Sequence, residues 1–399
     1  MGLNMSKAQA VLKTLYTNKK VENLCYTDHP WLALIQKNEM FFGENKKIPL
    51  IYGSNRGRSA TFADAQANKG NGKYASFLIE RVKDYSIASF DAETVESSEN
   101  DKGAFLNLLK SEVDGAMISA AQSDSQAVWG NGSGSIGKIA SGGITGNVLT
   151  LENTEDIIHY EVDQVIVAAA AETTGALRSG DMTITEVDRD AGAITVDTKA
   201  TSLAAADFLF CKGDRNAKMS GFFGWIPNSA PTSGDSFFGL DRSSDSTRLG
   251  GVRFDATGMS KEEALIKGLA RHTREGARPD FAFMNSGNFG DLLLELGSKV
   301  NYVDIKSGMG DIGFRGVQVH AGKRTITVLV DDNVPGERIA VIQRNTWVLN
   351  SLKKSIRILD LDGNKFLRES GSDGYELRVG GYKQVECSAP AYNMNIKLS

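Results

Sequence analysis

NRGRSATFADAQANKGNGK, Asn55–Lys73, lies between two runs that read as strands, KKIPLIYG (Lys46–Gly53) and YASFLIERVKDYSIASF (Tyr74–Phe90). Two apolar, β-branched and aromatic runs flanking a polar stretch with glycines argue a β-ribbon with a long tip. Gly70 and Gly72 permit sharp turns there. Arg56, Arg58, Lys69 and Lys73 make the tip positive, and Arg81 adds a cation on the returning run. The tip has almost nothing to bury, and a lone two-stranded ribbon is only marginally stable in water. Its stabilising partners are therefore expected outside it.

Working outward, the first 45 residues read as an arm rather than a compact unit. AQAVLKTLY (Ala8–Tyr16) and HPWLALIQKN (His29–Asn38), the latter with Pro30 in its first turn, are helical patterns too short to stand alone. Beyond the ribbon the period changes. In Glu96–Gly130, Ser97, Ser98 and Asp101 are start signals, and Phe105, Leu109, Val113, Ala116, Met117 and Ala120 recur at steps of three and four, which predicts one long helix. GNGSGSIGKIASGG, Gly130–Gly143, reads as a flexible linker that cannot continue it.

From Gly146 to Gly213 the pattern is short alternating runs with turns, including the DRDAG turn at Asp188–Gly192, which predicts a small inserted β-barrel or β-sandwich. A mixed segment follows. Ser260 with Glu263 opens a helix that stops at Gly276, PDFAFMN is a buried strand, and SGNFGDLLLELG is a helix capped at Ser286 and closed by Gly297. The last hundred residues or so are dominated by strands. No internal repeat and no apolar run long enough to cross a membrane is present.

Composition excludes several function classes. A hydrophobic content of 41% with 24% charged residues is that of a globular chain, and a net charge of −4 argues against a general electrostatic nucleic-acid binder. Cys25, Cys211 and Cys387 are scattered, which speaks against a disulfide framework and a structural zinc site. GSGSIGKI (Gly132–Ile139) approaches a phosphate-binding loop, but Ile139 stands where a Ser or Thr would hold magnesium, and no strand precedes it. DLDGN (Asp360–Asn364) opens like a calcium loop, yet Gly371 occupies the position of the closing Glu, so a turn is expected. His29, His159, His272 and His320 share no ligand spacing, and His272, between Arg271 and Arg274, reads as part of a solvated helix face. No catalytic, cofactor or metal site is expected, and the chain reads as structural rather than enzymatic.

The arm, the basic ribbon, the long helix and the mixed body, in that order, describe a subunit completed by neighbours. The chain resembles the major capsid proteins of tailed double-stranded-DNA bacteriophages, of the Hong Kong 97-type α+β fold. The resemblance implies an N-arm (1–45), an extended E-loop (46–86), a peripheral P domain with its spine helix (87–145), an inserted β-rich domain (146–213), an axial A domain (214–345), and a C-terminal part that closes the P domain (346–399). It implies inter-subunit roles for Arg56, Arg58, Lys69, Lys73 and Arg81 of the E-loop and for Tyr16, Trp31 and Leu34 of the arm. Hexamers and pentamers of this chain would form an icosahedral head, assembled in the host cytoplasm with a separate scaffolding protein and a portal, with or without a decoration protein, around packaged DNA. An encapsulin-type nanocompartment shell, another phage structural protein of the tail or sheath, and a P-loop enzyme are the alternatives.

Overall fold

The computed structural model describes residues 24–91, 102–297, 301–306, 313–321, 324–360, 363–369, 371 and 373–398. Tyr16, the Ala8–Tyr16 helix and the start signals Ser97, Ser98 and Asp101 lie outside them. Lys102–Trp129 form a single helix of 28 residues, about 42 Å long at the α-helical rise. Val113, Met117, Ala120, Ala121 and Val128 are buried along one side. This side rests on a six-stranded sheet, mainly on the strands Val82–Asp91 and Gly374–Cys387. The strand Gly374–Cys387 organises that sheet, pairing with Trp347–Ser351, Arg357–Ile358, Phe366–Arg368 and Val82–Asp91. The strand Gln36–Asn38 adds a parallel edge beside Trp347–Ser351.

The run Tyr74–Phe90, expected as one strand, is two. Lys73–Glu80 pairs with Asn45–Gly53 in the ribbon, whereas Val82–Asp91 belongs to the six-stranded sheet. The break falls at Arg81, where the chain passes from a projecting element into the body.

A seven-stranded sheet forms the second core, in the order Val252–Asp255, Met394–Lys397, Arg338–Ile342, Phe281–Met284, Arg324–Val330, Gly313–Ala321, Tyr302–Lys306. The helices Lys261–His272 and Ser286–Leu296 pack on it through Leu265, Leu269, Leu292 and Leu296. Ser260 caps the first helix as expected, and Gly276, at φ 81°, ends its last turn in the left-handed region that favours glycine. The second is capped by Asn285, whose side chain accepts from the Asn288 amide at 2.9 Å, rather than by Ser286. The C-terminal strand Met394–Lys397 lies in this sheet, between Val252–Asp255 and Arg338–Ile342. The final segment, expected to close one sheet, thus contributes strands to both. His272 is fully buried against the expectation of a solvated face, because its helix turns that edge inward.

The inserted β-rich unit is a closed six-stranded barrel filled by Ile136, Ile139, Leu149, Ile166, Ile184 and Ile194. It begins at Ser135, not at Gly146, since Ser135–Thr145 is a barrel strand rather than a linker. Ile136 and Ile139 point inward, and Gly137 is required because a Cβ there would lie 2.6 Å from the Tyr160 hydroxyl. Lys138 pairs with Glu152 at 2.8 Å on this strand, so Ser135–Ile139 of GSGSIGKI is barrel wall and not a phosphate cradle.

Candidate assembly interface

The ribbon has a supported base and an unsupported tip. Ile48, Leu50, Phe77 and Ile79 alternate onto its inner face and are buried in the main core. The Phe77 ring meets Trp225 edge-on at 4.8 Å, and the Leu78 amide donates to the Phe238 carbonyl at 2.9 Å. The base therefore draws part of its stability from its own subunit.

Beyond Tyr52, whose carbonyl accepts from Arg248 at 2.6 Å, this support ends. Where a polar turn with glycines is expected, the tip carries a short helix, Phe62–Ala67; Thr61 caps it, accepting from the Asp64 amide at 3.3 Å. The Asn55 side chain accepts from the amides of Gly57 at 2.8 Å and Gly70 at 3.4 Å, tying the outgoing and returning legs together. The tip is thus a shaped element that buries little: Phe62 is 83% exposed, and Tyr74 and Ile51 are 71% and 70% exposed. Arg56, Arg58, Lys69 and Lys73 are all exposed, and none forms an ion pair with a described residue. Asp64 is the one acid between Ser54 and Lys73. The tip thus presents exposed rings among unpaired cations.

The other expected contact residues lie elsewhere. Arg81 donates to the Phe41 carbonyl and stands 5.1 Å from the Phe41 ring, fastening ribbon to arm within one subunit. Trp31 and Leu34 are fully buried in their own chain, so they are core residues and have no surface left for a neighbour. The Trp31 ring sits among Trp129, Phe283 and Trp347 at 5.6 to 6.0 Å, which the apolar run around it could not disclose.

A second exposed surface of the subunit is acidic. A cleft of about 720 Å³ runs between the long helix and the barrel segment Ile158–Gln164. Asp28, Glu161, Asp163 and Asp332 are exposed along it, with Ile158 and Val162 as partly exposed apolar neighbours. These acids come from three distant stretches of chain, so no local pattern announces them.

Beneath the cleft lies a layer of buried charge. Lys218 contacts Asp84 at 2.9 Å and Asp214 at 3.1 Å, and Ser123 donates to Asp84 at 2.7 Å. Burial alone would raise the Asp84 carboxyl, but the Lys218 and Lys383 ammonium groups and the Ser123 hydrogen bond together outweigh it and hold the group below its ordinary range. Asp331 is also buried, and desolvation raises its carboxyl to about 6 against the hydrogen bonds from Asn333. Its proton is bound more tightly in the folded than in the unfolded chain, so this group's contribution to stability falls as pH rises from about 4 to about 6. Asp331→Asn is expected to flatten that slope and to gain on the order of 2–3 kcal/mol at pH 8. Urea denaturation at pH 4, 6 and 8 checks this, and an unchanged slope would show that Asp331 is not the titrating group. Among the described residues no group of three or more His, Cys, Asp or Glu side chains is arranged to hold a metal ion, and no helix is long and apolar enough to cross a membrane.

No family model matches the sequence, and no curated protein matches it. Solved structures do. The capsid subunit of cyanophage A-1(L) superposes with a TM-score of 0.53 at 11% identity, over 98% of each chain. Mycobacterium phage Ogopogo gives 0.47 at 10% identity over 94% of this chain and 92% of that one, and the SrpI encapsulin of Synechococcus elongatus gives 0.45 at 8% over 98% and 94%. The fold assignment rests on the first. Together with the projecting ribbon, long helix and two sheets, it defines the class: this chain has the α+β fold of a phage capsid subunit.

Proposed function

We propose that this chain is the major capsid subunit of a tailed double-stranded-DNA bacteriophage, a structural protein that self-assembles into the icosahedral head. The observation that carries this is the ribbon: in a chain with the capsid-subunit fold, a shaped, basic, aromatic-bearing tip extends past its own core with its cations unpaired. The tip of one subunit lies in the acidic cleft between long helix and barrel of the next, and rotation of that contact generates rings of five and six. Outside the buried Pro30–Leu34, the 1–45 arm adds further contacts between copies. Each contact is modest, and closure of the shell multiplies them. A scaffolding protein, a portal and packaged DNA are the expected partners, with assembly in the host cytoplasm.

Negative-stain electron microscopy of the purified chain, with and without co-expressed scaffold candidates, tests the proposal. Closed shells or rings of five and six are expected. A protein that stays monomeric under every condition would overturn it, and shells that enclose an enzyme instead of DNA would assign it to the encapsulin class.

A further inference from the structure

Lys383 is the least ordinary residue of the sheet. It sits in the strand Gly374–Cys387, on the face turned to the long helix, and its side chain is 2% exposed. Its ammonium touches the carboxylate of Asp124, itself 1% exposed, and also donates to the Ser355 carbonyl at 3.3 Å. Neither Asp124 oxygen receives a conventional hydrogen bond, so the lysine is what the carboxylate faces. An ion pair so completely removed from water gains little over an uncharged equivalent unless its remaining valences are satisfied. Here they are not.

A second carboxyl completes the group. Asp84 pairs in register with Gly381 while Lys383 pairs with Val82, so Asp84 and Lys383 share one sheet face as diagonal neighbours. The two carboxyls are held in opposite states. Burial pushes Asp124 up to about 6, partly countered by Lys383 and reinforced by Asp84, whereas Asp84 is held low through Lys218 and Ser123. Cys25 stands nearby, but burial raises its thiol to about 12, so it supplies no competing thiolate.

We propose that Lys383 and Asp124 join in an intramolecular amide bond that staples the six-stranded sheet to the long helix. The ammonium of Lys383 gives up a proton to the Asp124 carboxylate that it touches, with Asp84 as the negative charge of the same sheet face. The Nζ lone pair attacks Cγ of the protonated Asp124, the C–N bond forms, the C–OH bond breaks, and water leaves with the second nitrogen proton. Overall an ammonium and a carboxylate become an amide and water, with no oxidant or reductant. The product removes both charges from the interior and ties the helix to its sheet independently of any contact between subunits.

Intact-mass measurement on the unfolded full-length wild-type chain is decisive. The expected mass is one water below that of the sequence, with a tryptic branched peptide joining the Asp124 and Lys383 segments and no cleavage after Lys383. Full mass with normal cleavage after Lys383 would overturn the proposal and leave a buried ion pair. Lys383→Met and Asp124→Ala are expected to show full mass. Asp84→Asn, followed by mass over time after refolding, is expected to form the bond more slowly by roughly 10-fold, because the Asp84 charge favours the protonated form of Asp124; a wild-type rate would remove Asp84 from the chemistry while leaving the bond itself tested by the first measurement.

Discussion

Arg56→Glu together with Arg58→Glu is expected to yield a subunit that folds and melts like the wild type yet forms no closed shells. Both side chains are exposed and unpaired with any described residue, so their replacement changes subunit stability by about 0.5 kcal/mol or less. Against the acidic cleft of a neighbour the same change sets like charges face to face, which costs several kcal/mol per contact. That penalty recurs at every repeat of the shell. Reversing the cleft as well, with Glu161→Lys and Asp163→Lys, is expected to restore closure. Wild-type assembly should also weaken with salt, because exposed charges are screened beyond about 8 Å at physiological ionic strength. Normal shells from the double mutant would remove the tip from the interface. A defect that the cleft reversals fail to rescue would place the tip's partner on another surface.

Trp31→Ala is expected to do the reverse and destroy the subunit before assembly begins. Its indole is fully buried where three parts of the chain converge: Trp129 ends the long helix, Trp347 belongs to the six-stranded sheet, and Phe283 lies in the seven-stranded sheet. Truncating such a residue removes its transfer free energy and leaves a cavity, together about 3–5 kcal/mol. This is a large part of the 5–15 kcal/mol typical of a folded domain. A clear fall in the denaturation midpoint and in near-ultraviolet circular dichroism would be the signature, and a wild-type midpoint would show that the four rings do not hold the two sheets together. Leu34, equally buried, belongs to the same joint. The segment read as an arm is therefore, from Pro30 to Leu34, part of the fold that it was expected to decorate.

The long helix, the helix opened by Ser260 and the Asp188–Gly192 turn were readable because their signals are local. Ser260 and Gly276 bracket a helix by satisfying its own end groups, and the turn at Asp188–Gly192 joins two strands that pair with each other. The ribbon was readable for the same reason. The strand Ser135–Thr145 was not, because its glycines look like linker when seen alone; at Gly137 the demand comes from Tyr160, far along the chain. The acidic cleft was equally hidden, since Asp28, Glu161 and Asp332 meet only after folding.

By itself, then, the sequence determined the order of parts: a basic ribbon, a long helix, a β-rich insertion and a mixed body, since periodicity, capping and turn chemistry act over a few residues. Only the tertiary structure decided that Met394–Lys397 joins the seven-stranded sheet, that Trp31 is core, and that Lys383 meets Asp124. Strand pairing and burial are settled by partners distant in the chain, whose identity no short window contains.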